Sequence, residues 1–238
     1  MTPYVLDPTW SGEVSALVDQ PVDRVVVARD DLHRGLVWDL RRDTVELGDG
    51  QTVVREYVAH PGAVGVIAVD DSDRVLLLRQ YRHPVGMMLW EPVAGLLDVA
   101  DESPVTGAAR ELVEEAGLVG GRWDVLVDAE LSPGGTSETI RLYLVRDLAP
   151  APGGRPPGDG EERDLPLTWV PLDDAVSAVL AGRLTSPSTV IGVLAAYASR
   201  AAGWSALRPP DAPWPAREHV TGTGRARLYG SSSPESTG

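Results

Sequence analysis

The sequence predicts an α/β protein with a small β-rich unit ahead of its main domain. Three observations carry this. Two strongly apolar runs, AVGVIAVD (63–70) and RVLLLRQY (74–81), read as buried strands joined by the turn DSD. An amphipathic helical pattern fills 104–116, between residues that start and stop helices. Before residue 58 the chain alternates or is β-branched.

The elements follow in order. RVVVARD, GLVWDLRRDTVEL and TVVREYV are strands, with GDG at 48–50 as a hairpin turn. After the strands at 63–70 and 74–81 comes a glycine loop, AGLLDVADES, and then the helix. Ser103 and Pro104 open that helix, and Gly117 closes it as a left-handed cap. Strands near 123–131 and 139–146 resume the sheet. The run APAPGGRPPGDGEERD (149–164) is rich in proline, glycine and acid and forms a long loop, of the kind that usually serves function. A short strand at LTWV precedes helices at 173–182 and 187–202, the second started by Ser186-Pro187 and stopped by Gly203. The segment from 206, ending GSSSPESTG, is poor in large apolar residues and reads as loose. The expected division is therefore 1–58, a β-rich unit; 59–205, the main domain; and 206–238, a flexible tail. No internal repeat is visible.

Charge narrows the function. The 238 residues carry 35 acids against 21 bases, a formal net charge of −14. Such a field repels a nucleic acid backbone and an anionic membrane surface. It repels a phosphate-bearing small molecule too, unless cations lie between them. Every basic residue is arginine, which excludes lysine Schiff-base chemistry, and the absence of cysteine excludes disulfides and thiolate sites. No apolar run approaches the ~20 residues of a membrane span, and MTPYVLDPTW is not signal-like, so cytoplasm is the expected location.

The helix at 104–116 carries the chemistry. With Glu111 at zero and 100° per residue, Glu115 lies near +40° and Glu114 near −60°, roughly. Ala108, Leu112 and Val105 form the adjoining buried stripe. Three carboxylates thus share one arc beside the core edge, flanked by Arg110. Like charges at these spacings cost a few tenths of a kcal/mol per pair. A solvated acidic face would account for a generic cluster of this kind. A cation would instead turn the repulsion into binding, and oxygen-only donors suit Mg²⁺ or Mn²⁺.

The stretch GLLDVADESPVTGAARELVEEAGL resembles the Nudix box of the Nudix hydrolases, through Gly95, Glu102, Arg110-Glu111, Leu112, Glu114-Glu115, Gly117 and Leu118. Six residues separate Gly95 from Glu102 where the family usually has five, so the loop is expected to bulge there. The resemblance implies a mixed sheet sandwiched between helices, and metal-assisted hydrolysis of a nucleoside diphosphate linked to another moiety. It implies Glu111 and Glu115 as principal metal ligands, helped by the Ala94 carbonyl. Glu114 would pair with Arg110 or bind metal through water. Gly95, Glu102, Arg110 and Gly117 would be structural, and two or three Mg²⁺ ions (or Mn²⁺) would act per site.

Further stretches resemble the ADP-ribose pyrophosphatase subfamily. SPGGTSE (132–138) implies substrate contacts from Glu138 and, across a subunit boundary, from Ser132, Pro133 and Gly134. RQYRHPVG implies that Arg82 meets the diphosphate, and Leu96 beside the box glycine would also line the substrate. HRGLVWDL and VVREYV imply that Leu36, Val37, Arg55 and Glu56 hold adenine across a homodimer with exchanged N-terminal units. GDGEERD resembles a mobile loop that brings in a general base, Glu161, with Glu162 as runner-up. The implied reaction is ADP-ribose hydrolysis to AMP and ribose 5-phosphate. The alternatives are another nucleoside diphosphate sugar such as GDP-mannose, or a non-catalytic sensor. A sensor would show broken box acids and a basic DNA-binding part, neither of which this chain has.

Overall fold

A computed structural model describes residue 12 and residues 17–157 and 165–228 of the chain. The N-terminal unit is an antiparallel meander of β1 (Val26–Arg34), β2 (Asp39–Gly48) and β3 (Gln51–Ala59), turning through Gly48, Asp49 and Gly50. The main domain holds two more sheets. One is ordered β10-β5-β6, from β5 (Arg74–Arg82), β6 (Met87–Glu91) and β10 (Leu167–Pro171). The other is ordered β7-β4-β9-β8, from β4 (Ala63–Ala68), β7 (Val93–Leu96), β8 (Leu118–Glu130) and β9 (Thr139–Pro150). It is mixed, because β4 runs parallel to β9 while its other pairs are antiparallel.

Alternation along β4 and β9 sorts the core into two layers. Val64, Val66, Ala68, Tyr143 and Val145 face α1 (Pro104–Ala116), whose Ala108 and Leu112 are fully buried. Ile67, Val69 and Leu144 face the other way, onto α2 (Leu172–Leu180) and α3 (Pro187–Ala201). The sheet thus lies between helices, as the box resemblance implied. Gly192 lets α3 settle on Ile67 and Leu142, where a Cβ would overlap the Ile67 side chain.

The start and stop of α1 fall where expected. Ser103 Oγ accepts from Thr106 N at 3.2 Å, and Gly117 closes the helix at φ 66°. The glycine loop differs, because its first residues, Val93–Leu96, are strand β7 paired to β4. Ser186 differs too: it precedes α3 but makes no side-chain cap bond, and its hydroxyl donates to Glu91 Oε1 at 3.0 Å.

The largest correction concerns the end of the chain. Residues 207–228, expected to be loose, pack on the main domain and form α4 (Pro215–Gly222). Val125 and Arg208 exchange backbone bonds, and Trp214 is buried to 4% exposure. Arg141 is the rivet. Its guanidinium, 2% exposed, grips Asp128 at 2.7 and 3.0 Å and donates to the carbonyls of Ala212 (2.7 Å) and Pro213 (2.9 Å). It also lies 4.7 Å over the Trp214 ring. One aromatic and one buried arginine hold a segment that composition alone makes look unattached. Beyond α4 the segment reaches the N-terminal sheet, where Arg29 and Arg41 donate to the Gly224 carbonyl and Arg227 donates to that of Gly35.

Candidate active site

The acids of α1 are gathered by one arginine. Arg110 Nε and Nη2 meet the two oxygens of Glu102 at 3.1 and 3.2 Å, and Nη1 reaches Glu111 (2.7 Å) and Glu114 (2.9 Å). Bonds to these acids, Glu102 first, raise the arginine's pKa further against the opposing effect of its burial. Glu102 therefore reaches α1 despite the extra residue after Gly95. Glu115 turns inward, is 4% exposed, and accepts from Ala94 N at 3.0 Å. Gly95 brings α1 and β7 together, since a Cβ there would overlap the Glu111 carboxylate. Hence Ala94, Gly95, Glu111 and Glu115 meet, while Glu114 is held outward by Arg110.

With the side chains so placed, no three acidic or histidine groups among the described residues converge in metal-holding geometry. The donor chemistry nonetheless fits a hard divalent cation. All the donors are oxygens, two carboxylates stand one helical turn apart, and Gly95 leaves room for one of them against β7. Arg110 provides the positive charge among these acids in this structure.

Beside this edge lies a cleft of about 900 Å³. Ala94, Gly95 and Leu96 line it, together with Arg82, Ser132, Glu138 and, from the N-terminal unit, Val37. The structure thus joins five expected substrate contacts, the expected metal-site residue Ala94 and the box glycine in one hollow. Arg82 bonds Glu91 Oε2 through Nε (2.9 Å) and Nη2 (2.6 Å), which fixes its guanidinium at the cleft. Burial pushes the Glu138 carboxyl up, with Arg82 opposing.

Other expected residues stand elsewhere. Leu36 is 95% exposed and borders a different hollow, with Asp39 and Arg41. Glu56 pairs with Arg42 on the outer part of the meander, and exposed Arg55 donates to the Val54 carbonyl. Pro133 faces Tyr57 and Val220, and a Cβ at Gly134 would meet open space. Glu161 and Glu162 lie outside the described residues. Sequence reasoning missed Trp38, His60, Glu91, Ser186 and Ser188, all of which line the cleft. A buried acid next to proline in WEPVAG was the one available signal.

Comparisons with known proteins show the family. The NUDIX domain family matches residues 59–188. An ADP-ribose pyrophosphatase of Mycobacterium tuberculosis is 42% identical over 81% of this chain and 91% of its own length. An ADP-ribose pyrophosphatase of Bacillus subtilis is 32% identical over 66% of this chain and 84% of its own. The crystal structure of an ADP compounds hydrolase superposes with TM-score 0.62 at 20% identity, covering 88% of this chain and all of that one, a likeness of fold.

Proposed function

The chain belongs to the NUDIX family, and on that premise we propose that it hydrolyses the diphosphate of ADP-ribose to AMP and ribose 5-phosphate. The observation that carries this is one cleft placing an arginine, a buried glutamate and residues of the N-terminal unit beside the Ala94–Gly95 edge that meets Glu111 and Glu115. The two relatives named as ADP-ribose pyrophosphatases support that substrate over GDP-mannose. The intact acids of α1 argue against a binding-only sensor.

Family members act with divalent cations, and we assign Mg²⁺, two or three ions per site with Mn²⁺ as substitute, to Glu111, Glu115 and the Ala94 carbonyl. When bound, such ions draw electron density from the phosphoryl oxygens and acidify water. The chain's own groups do the rest. Arg82, braced by Glu91, binds the diphosphate, and Leu96 packs beside it. Glu161, with Glu162 as alternative, takes a proton from the attacking water. The water oxygen bonds to one phosphorus, that phosphorus loses its bridging oxygen, and the bridge leaves with the other phosphate. Glu138 accepts hydrogen bonds from substrate hydroxyls.

The assembly we propose is a homodimer with exchanged N-terminal units. Leu36, Arg55 and Glu56 stand away from their own chain's cleft, and Val27, Leu32 and Val54 are exposed on the meander. In this arrangement Pro133 and Gly134 serve the neighbouring site, while Ser132, expected there too, lines its own chain's cleft. No helix among the described residues is long and apolar enough to cross a membrane.

A substrate panel with Mg²⁺ tests the reading. ADP-ribose should exceed GDP-mannose in kcat/KM by at least about 10²-fold, since a site that hydrogen-bonds its substrate can reject an analogue by roughly 10⁴–10⁵. Preference for GDP-mannose would move the substrate, and no turnover of any diphosphate would leave only the sensor.

A further inference from the structure

His60 faces Glu138 in the cleft, with Nε2 3.9 Å from Oε1. The imidazole is fixed by its surroundings. Gly62 N–H donates to Nδ1 at 3.1 Å, so Nδ1 is the acceptor and the ring proton lies on Nε2, the atom turned toward Glu138. The backbone around the ring is clamped from both sides. His60 N–H donates to Ser137 Oγ at 3.0 Å, its carbonyl accepts from Arg227 N at 3.3 Å, and Arg217 donates to the Pro61 carbonyl. Burial first, and then the Arg217 charge, depress the imidazole pKa to about 4, so the ring is neutral near pH 7. No part of the mechanism above uses this ring.

We propose that His60 is a positioning residue, a neutral Nε2–H donor that orients the Glu138 carboxylate toward the hydroxyl-bearing part of the substrate. A carboxyl raised by burial needs a donor to stay ionised and aimed. A cation at this place would also neutralise it, whereas a neutral imidazole orients it and leaves its charge for the substrate. Closing 3.9 Å to hydrogen-bond length takes roughly 1 Å, within reach of a rotation of Glu138. The inference rests on the reading of Glu138 as a substrate contact.

Two isosteric variants separate the ring's two bonds. His60→Asn keeps an acceptor near Nδ1 for Gly62 but removes the far donor. His60→Gln restores an N–H near Nε2. We expect His60→Asn to hold its melting temperature and raise KM about tenfold at unchanged kcat, and His60→Gln to recover KM to within about threefold. In a Glu138→Gln background His60→Asn should add nothing. The ¹⁵N spectrum of the ligand-free protein should show the Nε2–H tautomer of His60 at pH 7. A charged ring, an Nδ1–H tautomer, equal losses in the Asn and Gln variants, or a full Asn effect without Glu138 would overturn the proposal. If Glu138→Gln leaves KM at the wild-type value, the substrate-contact reading falls together with the proposal. If Glu138→Gln raises KM and His60→Asn does not, only the role of His60 falls.

Discussion

Replacing Gly95 by alanine probes the point where the sheet meets the acidic helix. The backbone there is not in the left-handed region, so alanine is conformationally allowed. What it meets is the Glu111 side chain, which supplies the three nearest atoms to the added Cβ. Backbone contacts do not intervene, so the carboxylate must swing aside by roughly 1 Å or more to regain van der Waals distance, a displacement that can cost about 10²-fold at a reacting centre. Folding should change little, within about 1 kcal/mol, because the methyl lowers the entropy of the unfolded chain while only a side chain moves. We therefore expect Gly95→Ala to lower kcat/KM for ADP-ribose about 10²-fold and to weaken Mg²⁺ activation, with a denaturation midpoint near that of the wild type. Because the methyl acts through Glu111, the double variant with Glu111→Gln should be no worse than Glu111→Gln alone. Near wild-type activity in Gly95→Ala, or losses that multiply in the double variant, would refute the assignment of Glu111 to the metal.

Glu115→Gln should abolish most turnover at saturating Mg²⁺ and leave the circular dichroism spectrum unchanged, since the amide oxygen can still accept from Ala94 N. Glu161→Gln should lower kcat by roughly 10²–10⁴-fold with little change in substrate affinity, and Glu162→Gln far less; the reverse order would make Glu162 the base. Arg141→Met should cost about 3 kcal/mol, because it strands the carbonyls of Ala212 and Pro213 while Asp128 keeps Arg208 at 2.9 Å. Its hydrogen exchange should rise across 207–228 before it rises in β4 or β9. His60 has a folded pKa of about 4 against 6.5 unfolded, so the unfolded chain binds the proton first as pH falls. Burying the neutral ring therefore costs no stability through protonation well above pH 6.5 and a growing amount from there toward pH 4; urea titrations of His60→Asn should show a flatter decline in that window.

The α1 region was legible in sequence because its signals are local. Ser103 and Pro104 start the helix, Gly117 ends it, and the acids repeat at turn spacing. The strands β4, β5 and β9 were equally open to reading, since burial on both faces writes itself as an apolar run. β6 and β7 were not, because five and four residues interrupted by Pro92 carry too little pattern. α4 stayed hidden because its anchor is one tryptophan that finds its partner, Arg141, across the fold. The same cause divides the site. Glu111 and Glu115 stand on one helix and could be paired by counting. His60 and Glu138, or Arg82, Glu91 and Ser186, come from separate elements, and the pairing exists only after the sheets have formed.

The bonds from Arg29 and Arg41 to Gly224, and from Arg227 to Gly35, span 195, 183 and 192 residues of sequence. On a ribosome the meander emerges first, and its near-neighbour strands can pair at once because the loops to close are short. The residues that fasten it emerge much later. Until residues 224–227 have left the exit tunnel, the early sheet waits without these three bonds, and a neighbouring nascent chain could claim it in that interval. In the proposed exchanged dimer, synthesis order as much as equilibrium would decide whose sheet ends up over whose cleft. Slowing translation ahead of codon 207 should lengthen the wait and raise the fraction of exchanged or aggregated product.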